Sequence, residues 1–392
     1  MTPDDHDLLM ALMAQPTAPF REARVRAFAQ DLLRAAGVPH FLDPLGNLVV
    51  GAASPAGYQR LLATRSREPV RLFIAHMDHP GFHGVRWLAP GVLRVRWHGG
   101  SPTRHLTGAP VWLADDTGGE VTGVLRRVRL GKHGLAIDTA EVHLDTPAWR
   151  PRAQTVYGAF RFRKPVWRSG ARLYARAADD LVGVFCVLAT ALEAFRARRR
   201  PPFLGLLSRA EEVGLVGTVA HLQLGWLANA ARPVVAVSLE ASRTLPGAEL
   251  GKGPIVRLGD RRTPFSAGPT QVVAELAAKR LPGRHQRRLM DGGSCEGSAA
   301  VAWGLPTLAL AVPLGNYHNQ GLQGGPDCRA PLGPAPEFVH RDDVAGMRLL
   351  CAALLEPGLS WCDPWREVRT RLAAIRAKYD ALLTQSDAGP KR

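Results

Sequence analysis

Apolar residues recur along the chain in two rhythms. In FREARVRAFAQDLLRAAGV (residues 20–38), Val25, Phe28, Leu32 and Leu33 fall at helical spacing, and Gly37 marks the stop. HFLDPLGNLVVG then reads as strand, turn, strand, and residues 70–75 as an apolar strand. From about Gly84 to Ala171 the texture changes. GVLRVRW, APVWLADDTGGEVTGVLRRV, AEVHLDT and YGAFRFR are short strands between turns, with Asp-Asp-Thr-Gly-Gly as a hairpin turn. This stretch predicts a small all-β module, a barrel or a sandwich.

Beyond Ala171 strands and helices alternate. DDLVGVFCVLATALEAFRA, GLVGTVAHLQLGWLAN, QVVAELAAKR and RDDVAGMRLLCAALLE read as helices, the last capped near Asp342. PFLGLLSRAEEVGLVG, RPVVAVSLEAS and LPTLALAVPLG supply the strands between them. Such alternation implies a mostly parallel sheet covered on both faces. The expected fold class is therefore α/β, a sheet flanked by helices. A discontinuous domain (residues 1–83 and 172–392) is interrupted by a β insertion at 84–171. Residues 363–392 start helical and end in a polar tail.

Composition narrows the function classes. A chain of 392 residues, 46% apolar, is long enough for two domains and a sizeable core. No run of 18 clean apolar residues implies a membrane span. The start has two early acids and no basic n-region, so a secretory signal is not expected and the cytoplasm is. Five scattered cysteines without a CxxC pair exclude a disulfide framework and a thiolate zinc knuckle, and Cys186 reads as a small core residue. The formal charge is +16, but the excess is mostly arginine spread along the chain. The densest run, RARRRPP at 196–202, reads as a helix end. With no basic stripe interleaved with aromatics, specific nucleic-acid binding is not expected.

Candidate chemistry collects at the strand ends, where open α/β sheets carry their functional groups. RLFIAHMDHPGFHG ends a strand at His76 and Asp78. YARAADDLVG puts Asp179 and Asp180 before a helix. The other strands run out at Glu211-Glu212, Glu240 and His318. Each has a bland reading: a polar turn, a helix cap at Asp179–Asp180, an acidic first turn at Glu211–Glu212, a hydrogen-bonded core histidine. Together, two histidines and several carboxylates without cysteine suit zinc, cobalt or manganese. A pair of metals needs a bridging carboxylate, terminal ligands, a carboxylate orienting a histidine and a free one as proton acceptor.

At these residues the sequence resembles the co-catalytic di-zinc aminopeptidases of the tetrahedral-aminopeptidase, glutamyl-aminopeptidase and cellulase M-like family, over roughly residues 20–355. The resemblance implies an α/β zinc-peptidase domain interrupted by a small β-barrel used in oligomerisation. It implies that AHMDHPGF carries a metal ligand, His76, and its supporting carboxylate, Asp78. In ADDLVG, Asp179 would bridge two metals. In AEEVGLVG, Glu211 would be the general base and Glu212 a ligand, and in PLGNYHN, His318 would be a ligand. GGSCEG (292–297) occupies the place of a Gly-Gly-Thr-Asp loop beside the substrate. The chain departs from the family pattern at Leu181, where the bridging motif has arginine, and at Gly315-Asn316, where it has Arg-Tyr. Alignment by Pro246-Gly247 puts Ser238 where the family has an aspartate ligand, with Glu240 two residues on. Both share one strand face, and the carboxylate is the better donor, so Glu240 is the expected ligand.

The implied activity is hydrolysis of amide bonds in peptides by an aminopeptidase. Two alternatives stay open: a di-metal amidohydrolase or deacylase acting on a non-peptide amide, and a basic binding protein with a degenerate site. The expected partners are a peptide or small amide and further copies of the chain joined through the β insertion.

Overall fold

A computed structural model describes residues 2–196, 201–228 and 230–385. Most of the Arg-rich run at 196–202 and the end of the expected polar tail lie outside these residues. The architecture is a mixed sheet flanked by helices, with a closed barrel inserted into the chain.

The middle of the large sheet is parallel. Val70–His76 pairs with Phe203–Ser208 on one side and Val234–Arg243 on the other, and Thr307–Gly315 lies beyond Val234–Arg243. Val70–His76, Phe203–Ser208 and Thr307–Gly315 are buried at every position, and Val234–Arg243 at all but its last. Apart from Arg71 and the polar residues towards their ends, they read as apolar runs because helices cover both faces. The helix Leu181–Arg196 is apolar almost all round and almost wholly buried, packed between the sheet and Arg341–Ala353. The edges are antiparallel: His40–Leu42 with Leu48–Val50 on one side, Glu337–His340, Arg172–Ala175 and Val166–Ser169 on the other.

The six barrel strands close in the spatial order Gly81–Ala89, Val92–His98, Ile137–Leu144, Glu120–Leu130, Pro110–Ala114, Tyr157–Phe160. Alternating residues such as Leu93, Val95 and Trp97 fill its interior with Phe82, Val142 and Phe160. Asp115–Gly119 forms the hairpin turn, where Asp115 Oδ1 accepts the Thr117 backbone N–H at 3.0 Å. One strand differs from the sequence expectation. Val166–Ser169, inside the expected insertion, pairs with Arg172–Ala175 in the large sheet. The cap of Arg341–Ala353 is His340, whose Nδ1 accepts the Asp342 N–H, while the buried Asp343 carboxylate accepts the N–H groups of Gly251 and Gly253. Among the described residues no helix is long and apolar enough to cross a membrane.

Candidate metal centre

The parallel register brings the strand ends to one level. Ser208 lies opposite His76, and Ser238 lies opposite Ile74, two residues short of it. Glu240 is therefore the residue of its strand that reaches the level of His76. The Ser238 hydroxyl instead accepts the Gly297 N–H at 3.2 Å.

Around this level ligand-type atoms converge. One nitrogen or oxygen each from His76, Asp179 and Glu240 lies within 4.8 Å of the other two, and the same holds for Asp179, Glu212 and His318. Asp179 belongs to both groups. Its Oδ1 is 3.6 Å from His76 Nε2, and its Oδ2 is 4.0 Å from His318 Nε2. His318 Nε2 is 3.1 Å from Glu212 Oε2. Donors about 2.0–2.1 Å from a tetrahedral ion stand about 3.3 Å apart, and the 3.6 Å and 3.1 Å spacings lie close to that separation. Glu211 lies beside both groups, its Oε2 3.9 Å from His76 Nε2.

Local structure explains how each side chain is held. Asp180, not Asp179, caps the helix: its Oδ1 accepts the Gly183 N–H at 3.0 Å. A Cβ at Gly183 would stand 2.1 Å from Asp180 Oδ2, so this close approach requires glycine. Asp179 is thus free to face the histidines. His76 Nδ1 lies 3.1 Å from the Asp78 backbone carbonyl, whereas the Asp78 carboxylate is 3.7 Å away, too far for a hydrogen bond. That carboxylate instead accepts the N–H groups of Glu211 and Glu212. The orienting contact expected of Asp78 on His76 thus comes from its main chain, and its side chain holds the glutamate loop. His318 stacks on Tyr317, with ring centroids 3.7 Å apart.

Three further residues complete the centre. Glu337 is fully buried and accepts the N–H groups of Ala178, Asp179 and His318, tying the two halves together. His79 sits between the Asp179 carbonyl and Asn319 Oδ1. Glu296, at the start of the helix Glu296–Ala302, groups with Glu211 and Glu240 within the same 4.8 Å limit. Glu337 begins an antiparallel strand and Glu296 a helix, so inspection of strand C-termini misses both.

The acids of the centre act strongly on one another. Burial, together with Glu296, Glu212 and Asp78, pushes the Glu211 carboxyl well above its ordinary range. Burial and the neighbouring Cys295, Glu296 and Asp179 do the same to Glu240, against the opposing pull of Arg257. Burial alone would lower the His76 imidazole, but Asp179, Glu211, Glu296 and Asp78 raise it well above its usual value. Asp179 Oδ1, Glu212 Oε1, Glu240 Oε1 and Glu296 Oε2 are buried without a hydrogen-bond partner. Buried charges in such numbers need cations, and the donors are oxygen and imidazole nitrogen, as zinc, cobalt and manganese accept. The residues present therefore fit divalent metal.

A cavity of ≈ 380 Å³ opens beside Glu240, lined by Arg257, Tyr317, Gln320 and the loop 292–295. A larger hollow of ≈ 550 Å³, lined by His105, Arg161 and Asp327 among others, contains no member of the cluster.

The fold recurs in solved structures. A Desulfurococcus kamchatkensis aminopeptidase shares 20% identity over 91% of this chain and 96% of its own, with a TM-score of 0.70. A Pyrococcus horikoshii TET1 peptidase, which can assemble into a tetrahedron or a large octahedral shell, shares 21% over 90% and 99%, with a TM-score of 0.68. A Thermotoga maritima endoglucanase shares 16% over 89% and 97%, with a TM-score of 0.59. No curated protein matches the sequence. The M42 glutamyl aminopeptidase family pattern matches residues 60–322, two-thirds of the chain and every clustered residue but Glu337, and the protein belongs to that family.

Proposed function

We propose that this protein is a di-metal-dependent hydrolase of amide bonds, acting as an aminopeptidase that releases N-terminal residues from peptides. The observation that carries this reading is the position of Asp179, whose two oxygens face different histidines. His76, Asp179 and Glu240 would hold one divalent ion, and Asp179, Glu212 and His318 the other, with zinc the best match. Bound there, two ions would supply Lewis acidity, making a water easier to deprotonate and an amide carbonyl easier to attack.

The remaining work falls to the chain. Glu211 comes within the same 4.8 Å limit of His76 and Glu212, and of Glu240 and Glu296, and its side chain stays partly exposed, at 14%, so in this reading it is the carboxylate left over from the two ligand sets. It takes the proton of the attacking water on a carboxylate oxygen and returns it to the leaving amine. Asp78 fixes the loop that carries it. The cavity beside Glu240 holds the substrate next to the centre. We also infer that copies of the chain associate through the barrel, where Val85, Leu88, Leu130 and Leu135 are exposed.

Elemental analysis after zinc or cobalt reconstitution tests the metal claim, and zero bound metal defeats it. A panel of aminoacyl-anilides against N-acylated amines tests the substrate claim. Cleavage of the acylated amines alone would make the protein an amidohydrolase of non-peptide amides.

A further inference from the structure

Glu296 is a fully buried carboxylate beside the cluster that neither ligand set uses. It is 0% exposed, yet it lies among Glu211 and Glu240. One oxygen is satisfied: Oε1 accepts the Ser208 hydroxyl at 2.9 Å. The other, Oε2, has no partner. Ser208 is the strand residue directly opposite His76, so the hydrogen bond anchors Glu296 at the level of the metal centre.

The first turn of the helix is fixed as well. The Gly297 N–H donates to the Ser238 hydroxyl, and a Cβ at Gly297 would stand 3.0 Å from the Phe265 ring and 3.2 Å from Ser238 Cβ. Two serines, on the two strands that flank Val70–His76, thus hold this turn: Ser208 bonds the Glu296 carboxylate and Ser238 the N–H of the next residue. A buried carboxylate with one oxygen held and the other unpaired is costly unless a cation meets the free oxygen. Arg257 does not serve: its nearest carboxylate is Glu240, at 3.8 Å, and Glu296 makes no ion pair within 4.0 Å among the described residues.

We propose that Glu296 is a further ligand to the cation held by His76, Asp179 and Glu240. This rests on the di-metal reading above and adds an asymmetry to it. The His76 half would then offer one imidazole and three carboxylates, and the His318 half one imidazole and two carboxylates. The extra anionic oxygen makes the first half the tighter one and the one more tolerant of manganese. The hydroxyl of Ser238, at the position where the family pattern has an aspartate ligand, supports the turn that delivers Glu296.

The test is titration of the metal-free full-length chain with cobalt, followed by its visible absorption and by competition with a chelator. The parent should take up two equivalents with unequal affinity. Glu296→Gln keeps the side-chain shape and an oxygen for Ser208, and should weaken the tighter site by at least about tenfold, leaving the weaker one in place. Ser208→Ala should weaken the same site to a smaller extent. Thermal unfolding separates ligation from structure. Metal-free Glu296→Gln should melt no lower than the metal-free parent, because an unpaired buried charge is gone, while its gain in melting temperature on adding metal should shrink. Two parent-like affinities in Glu296→Gln would overturn the proposal. A parent that binds no cobalt would instead overturn the di-metal reading itself.

Discussion

Asp78 and Glu211 are joined side chain to main chain: the fully buried Asp78 carboxylate accepts the Glu211 N–H at 2.9 Å through Oδ1, and its Oδ2 accepts the Glu212 N–H at 3.2 Å. An amide at position 78 can accept only one of the two. Asp78→Asn should therefore destabilise the protein by about 1–3 kcal/mol, read as a lower denaturant midpoint at unchanged slope. An unchanged midpoint would show that the loop is held by other contacts.

Glu211→Gln retains size and hydrogen-bonding reach but cannot take a proton. Metal content should equal that of the parent, while kcat falls on the order of 10²–10⁴-fold. Near-parent turnover would assign the base elsewhere.

Much of this centre was legible because parallel strands end at one edge. His76, Asp179, Glu211, Glu212, Glu240 and His318 each follow an apolar run, and all converge. Register was not legible. That Ser238 faces Ile74 while Glu240 reaches His76 is set by strand pairing, which residue spacing does not encode. Glu337 escaped because its strand runs the other way, so its first residue, not its last, reaches the site. The hairpin strand Val166–Ser169 lies before the return of the α/β texture at Ala171, and only its pairing with Arg172–Ala175 places it in the large sheet. The role of Asp78 was half legible: its position beside His76 is in the sequence, whereas its bonds to Glu211 and Glu212 depend on a loop distant along the chain.

Glu240→Ala should weaken one of the two metals by at least about tenfold in a chelator competition. Ser238→Ala should leave that affinity much closer to the parent's, at a stability cost of about 1–3 kcal/mol from the orphaned Gly297 N–H. The reverse pattern would move the ligand to Ser238.

The barrel reaches the centre through the loop after Val92–His98. A Cβ at Gly100 would stand 2.0 Å from His318 Nδ1. Gly100→Ala should displace the imidazole and reduce cobalt uptake towards one equivalent, with the His76 half still loaded. Two full equivalents would mean that the loop yields instead of the ring.

Val85 is 41% exposed and Leu135 78%, both on the barrel. If the barrel joins subunits, changing both to aspartate should lower the mass seen by light scattering without altering metal content. An unchanged mass would place the contact on another face.

The insertion also dictates an order of events. Val70–His76, buried at every position, has both of its ladder partners, Phe203–Ser208 and Val234–Arg243, beyond the barrel in sequence. During synthesis the barrel strands, Gly81 to Phe160, emerge complete and can close first. The central strand of the larger domain then waits with both edges open until Ser208 has appeared, and with one open until Arg243 has. Its pairing requires long loop closures, which slow folding far more than they cost in final stability. Refolding should therefore recover barrel structure before the metal centre, and in the interval the unpaired apolar strand is the segment most open to chaperone capture or aggregation.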